Sequence, residues 1–127
     1  MKSIFEEHFQ SLAEAYPGSN YVPRPDGSRR IQVPGLRLPA TGWNMLGTTV
    51  YFLISSSYPM AQPDCFWTDP HLRLASGAIP QNTSVNNTHG GPENLLWFSW
   101  HASRWDPNRD NLLTYVKVIS RRLQEIR

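Results

Sequence analysis

The run Thr48-Thr49-Val50-Tyr51-Phe52-Leu53-Ile54-Ser55 leaves this chain few folds to choose from. Its β-branched and aromatic side chains lose rotamer freedom in a helix and pack well on a pleated surface, so the run reads as a strand. Helical patterns lie only far to either side of it. Ser3 followed by Glu6 forms a capping box that opens a helix over about 3–16. Ile4, Phe5, Phe9, Leu12 and Tyr16 make its apolar stripe, and Pro17-Gly18 ends it. At the other end Asp110 reads as an N-cap. Leu112, Val116, Ile119, Leu123 and Ile126 follow at spacings of three and four, with Leu113 and Tyr115 widening the stripe. Strands segregated between two flanking helices imply an α+β domain: an N-terminal helix, an antiparallel meander of about four strands covered on one face, and a C-terminal helix.

The remaining strands are shorter. Residues 17–47 are rich in proline and glycine, so only brief strands fit there. Arg30-Ile31-Gln32-Val33 is one, ended by Pro34-Gly35. Tyr58-Pro59 and Gln62-Pro63-Asp64 force a turn. Cys65-Phe66-Trp67 is the next strand, stopped by Asp69-Pro70. Residues 95–101 (LLWFSWH) alternate, with Leu96, Phe98 and Trp100 on one side and Leu95, Trp97, Ser99 and His101 on the other. Between these strands, residues 76–94 are polar and read as a mobile or functional loop. A length of 127 residues suits one domain spanning 1–127, and five Trp, five Tyr and five Phe supply the bulk of one core.

Charge and cysteine content exclude several roles. A net charge of +2 gives no concentrated basic face for nucleic acid. Arg121, Arg122 and Arg127 read as a solvated helix end that complements the helix dipole. Cys65 is the only cysteine, which rules out an internal disulfide or a cysteine zinc site. His8 near the apolar stripe reads as a structural or surface residue, not as a ligand. His71 and His89 lie in polar loops without further ligands at metal-binding spacing, so neither a metal nor a cofactor is expected. MKSIFEEHFQ lacks the apolar run of a signal peptide, and no window approaches a membrane span; a cytoplasmic home is the expectation. The sequons Asn82-Thr83-Ser84 and Asn86-Asn87-Thr88 therefore carry no weight.

Two motifs in order add a resemblance. Tyr58-Pro59-Met60-Ala61-Gln62-Pro63 resembles the Tyr-Pro-x-x-x-Pro turn of ubiquitin-conjugating enzymes. Trp105-Asp106-Pro107-Asn108-Arg109-Asp110 resembles their Trp-x-Pro-x-x-Thr segment, with Asp in the capping place. Pro63-Asp64-Cys65-Phe66 and Phe98-Ser99-Trp100-His101 bring the chain nearest to the divergent prokaryotic family E of this fold. The resemblance spans roughly residues 3–126. It implies a core truncated relative to the full fold, since the two C-terminal helices are missing. It also implies a ubiquitin-like modifier protein and a ThiF-type activating enzyme as partners, in a bacterial pathway linked to antiphage defence. One departure is large: there is no His-Pro-Asn motif, and His89-Gly90-Gly91 in about its place offers no amide side chain.

The chemistry implied is acyl transfer, in which a nucleophile accepts the C-terminal carbonyl of the modifier and passes it on. Cys65 is a candidate acceptor by element, but its place after Pro63-Asp64 reads as a buried strand with nothing basic beside it to stabilise a thiolate. Ser99 is the better candidate by position, six residues ahead of the Trp-x-Pro segment. His101 is the candidate base, about 7 Å away along a regular strand and within reach only if the backbone bends. The product would be an oxyester. The alternative is a non-catalytic binding module that holds the modifier or the activating enzyme, with Ser99 and His101 as ordinary strand residues. A third possibility is an unrelated small α+β domain.

Overall fold

The computed structural model describes residues 2–85 and 94–127. His89, His89-Gly90-Gly91, Asn86-Asn87-Thr88 and most of the apex of the 76–94 loop lie outside the described residues. The element order is α1 (Ile4–Ala15), β1 (Asn20–Pro23), β2 (Arg29–Arg37), β3 (Gly47–Ile54), β4 (Asp64–Thr68), β5 (Thr83–Ser84), β6 (Leu96–His101) and α2 (Leu112–Leu123). Every strand pairing is antiparallel, in the order β1-β2-β3-β4-β6-β5. The fold is α+β, as the sequence implies, with six strands among the described residues where about four were expected. The additions are short edge strands of four and two residues that carry no apolar alternation.

The central strand β3 alternates half-buried and buried residues along its whole length, which sends Thr48, Val50, Phe52 and Ile54 inward. The two helices cover that face. Leu12 from α1 and Leu112, Tyr115, Val116, Ile119 and Leu123 from α2 join Ile31, Val33, Phe52, Phe66, Leu96 and Phe98 in one apolar cluster. Its fully buried side chains are the main stabilising term, at about 1.5–3 kcal/mol for each large aliphatic or aromatic group.

Local details correct four expectations. Ile4 was assigned to the core, yet it is 52% exposed while Phe5 is buried. The rest of the α1 stripe holds, and Phe5 meets Phe9 and Tyr21 at ring distances of 6.0 and 4.8 Å. Pro34-Gly35 does not end β2; the strand continues to Arg37 through a register shift between Val33 and Leu36. The cap of α2 is Asn111 in place of Asp110. Asn111 accepts from the Thr114 N–H at 2.9 Å and donates its own N–H to Thr114 Oγ1, a closed capping box. Asp110 instead accepts from the Asp106 N–H at 2.6 Å, closing the turn ahead of the helix. The arginines at the end of α2 differ from one another. Arg121 is solvated, as expected, but Arg122 is wholly buried and donates to the carbonyls of Gln81, Glu125 and Arg127.

Two predictions follow from this packing. Leu12→Ala should lower the unfolding free energy by about 2–5 kcal/mol in chemical denaturation, against about 0.5 kcal/mol or less for Ile4→Ala. His8 Nδ1 lies 2.6 Å from the Tyr58 hydroxyl, and burial pushes the imidazole pKa below its ordinary 6.5. The unfolded chain then binds more protons than the folded one between those two values, so stability should fall as pH drops through 6.5 toward the folded value. His8→Gln should flatten that part of a stability-versus-pH curve.

Candidate functional site

The site is set by a break in the pairing of β4 and β6. Phe66 opposes Phe98, but Asp64 opposes His101, so two steps along β4 match three along β6. The extra residue falls at Ser99-Trp100, across from Cys65. Such an insertion kinks the strand and redirects side chains, and strand bulges are frequent beside active sites. Cys65 accommodates the mismatch with φ at +66°. The conformation costs a non-glycine residue about 1–2 kcal/mol, so the surroundings must hold it. Tyr115 of α2 does so. Its buried hydroxyl is 2.8 Å from the Cys65 carbonyl and 3.3 Å from that of Trp100, one on each side of the break.

Ser99 is exposed, and its backbone N–H donates to Asn82 O at 2.8 Å, which fixes the strand beside the 76–85 segment. Among the described residues its hydroxyl has no hydrogen-bond partner, His101 included. His101 closes β6 and is also exposed, with Nδ1 3.8 Å from Asp64 Oδ1. A one-residue register irregularity lies between Ser99 and His101.

Cys65 does not lie in the core as expected. It is half-buried, because the positive φ turns it out of the strand's regular alternation. Sγ lies 3.7 Å from Asp64 Oδ1. Burial pushes the thiol pKa up, and the Asp64 carboxylate pushes it further the same way, against the lowering effect of hydrogen bonds from the Trp100 backbone and the Trp97 side chain. A thiol next to a carboxylate resists ionisation, so Cys65 is a poor source of thiolate at neutral pH.

Beside His101 opens a groove of about 410 Å³ between the end of β6 and α2. Trp100, Arg104, Lys117, Val118 and Arg121 contribute to its walls. No group of three or more His, Cys, Asp or Glu side chains among the described residues is placed to hold a metal.

The two motifs that carry the resemblance meet in space. Trp105 Nε1 donates to Pro59 O at 2.7 Å, and the Trp105 and Tyr58 rings lie 6.4 Å apart. The Tyr-Pro turn and the Trp-x-Pro segment therefore form one buttress under the start of α2. The family model for prokaryotic E2 family E matches residues 15–126. The chain belongs to that family. No curated protein and no solved structure matches it. Its helix–sheet–helix order is compatible with a truncated ubiquitin-conjugating core. No helix among the described residues is long and apolar enough to cross a membrane.

Sequence reasoning on this family E chain missed Asp64, which it treated only as part of a turn. The ladder sets it opposite His101, 37 positions away, and no local pattern signals a pairing made across two strands. For Cys65, Cys65→Ala should leave any covalent modifier loading intact and cost about 1 kcal/mol in urea unfolding. Cys65→Gly should be at least as stable as Cys65→Ala, because glycine removes the positive-φ strain.

Proposed function

We propose that this family E protein carries a ubiquitin-like modifier as an acyl group on Ser99 and transfers it to an amine of a target. The observation that supports this most is that Ser99 is exposed at the register irregularity of β6, two residues ahead of an exposed His101. Family membership supports the conjugating role in general, and the partners are a ThiF-type activating enzyme and its modifier. The pathway in view is a bacterial one, with phage defence as the context that the resemblance implies.

The modifier arrives as a thioester on the activating enzyme. Ser99 Oγ attacks the carbonyl carbon while its proton passes to His101. The C–S bond breaks, and the imidazolium returns that proton to the departing thiolate. An oxyester remains on Ser99. A target amine then attacks it, His101 takes the amine proton and delivers it to the serine oxygen, and an amide is released. A serine needs this base more than a cysteine would, since its hydroxyl is scarcely ionised at neutral pH. The groove that His101 borders offers room for an extended chain terminus.

The missing hydrogen bond between Ser99 and His101 favours a second reading, a non-catalytic module that holds the modifier or the activating enzyme. Incubation with activating enzyme, modifier and ATP separates the two. Under the acyl-carrier reading an adduct forms that survives reducing agent, is cleaved by hydroxylamine and disappears in Ser99→Ala. Ser99→Cys restores loading as a reducible thioester, and His101→Ala slows loading by roughly 10²–10⁴-fold. A wild-type protein that binds its partners but forms no adduct would make the binding-module reading the correct one.

A further inference from the structure

We infer that Asp64 is a positioning residue for His101, completing a Ser99-His101-Asp64 relay assembled across the β4–β6 break; this rests on Ser99 as the acceptor. Asp64 and His101 are direct partners in the strand ladder, so their Cα atoms are held side by side by backbone pairing and not by loop geometry. The carboxylate oxygen Oδ1 lies 3.8 Å from Nδ1 of the imidazole. That separation is a charge contact, longer than a hydrogen bond, and such contacts commonly shorten when substrate closes the site. A carboxylate at Nδ1 selects the tautomer that carries its proton there. It leaves Nε2 unprotonated for the Ser99 hydroxyl and stabilises the imidazolium once the proton has moved.

Cations outnumber acids around the groove that His101 borders. On the α2 side, the groove that His101 borders carries Lys117, Arg121 and Arg122, and Arg104 adds a fourth cation from the loop. Glu125 is the one acid in its lining, and its carboxylate is taken by Arg127 at 2.7 Å. On the β4 side, Cys65 contributes no positive charge and shares Asp64 Oδ1 at 3.7 Å. Among the described residues, Asp64 is the acid paired with His101.

Both members of the pair are largely exposed, 64% for His101 and 71% for Asp64. Solvent screening therefore makes the pair's contribution to folding small, while its orientation of the imidazole still matters for loading. The test measures the initial rate of adduct formation with activating enzyme, modifier and ATP, alongside the melting temperature. Asp64→Asn should slow loading by about tenfold or more, below the ~10⁴-fold seen for a buried triad carboxylate, with little change in melting temperature. Asp64→Glu should recover part of the loss. In a Ser99→Cys background the same Asp64→Asn change should cost much less, because a thiol needs less help from a base. Equal losses in the serine and cysteine backgrounds would overturn the relay, as would an unaltered rate in Asp64→Asn. An adduct that persists in Ser99→Ala would instead remove the acceptor assignment itself, so the two failures are distinguishable.

Discussion

The arrangement depends on one buried hydroxyl. Tyr115 reaches from α2 through the core to the carbonyls of Cys65 and Trp100, the two strands' backbone at the point where their register fails. A break in a ladder leaves carbonyls without their regular partners, and such groups are costly when buried. The Tyr115 hydroxyl supplies what the ladder lacks. Burial also pushes its pKa upward, which keeps it protonated and able to donate. The aromatic ring contributes separately, packing edge-on to Phe52 at 5.0 Å in the same cluster. A single residue thus ties the helix, the central strand and the irregular end of the sheet together.

What surrounds the break is rigid for identifiable reasons. Trp105 hooks the segment before α2 to Pro59, the Asn111–Thr114 box caps the helix, and Trp43 Nε1 donates to Leu123 O near its other end. At the same end, Arg122 gathers the carbonyls of Gln81, Glu125 and Arg127. It holds the segment leading to β5 against the helix, a role closer to a clamp than to a surface charge. A candidate acceptor on a strand held this way has a defined position, whereas one on a free loop would not.

The fold was largely legible in the sequence, because the signals there are local. The capping box at Ser3, the density of β-branched residues in 48–55 and the spacing of Leu112, Val116, Ile119 and Leu123 each act over one element. Where the reading slipped, the deciding term came from elsewhere. Ile4, at the edge of the α1 stripe, stays exposed, while the Phe5 ring beside it packs on Phe9 and Tyr21. Asn111 rather than Asp110 became the cap because Asp110 was already engaged by the backbone of Asp106. The sequence also identifies Ser99 and His101 as residues of interest, through the resemblance and the chemistry of a serine near an imidazole.

By itself, then, the sequence determined the element order, the apolar faces and the family to which the chain belongs, since all three are written in residue type and spacing. The tertiary structure decided the register of β4 against β6, and with it the bend at Ser99, the outward turn of Cys65 and the meeting of Asp64 with His101. Register is a property of two strands brought together across a core. Its one-residue irregularity depends on how Phe66, Phe98 and Tyr115 pack at once, and no stretch of the chain contains that information alone.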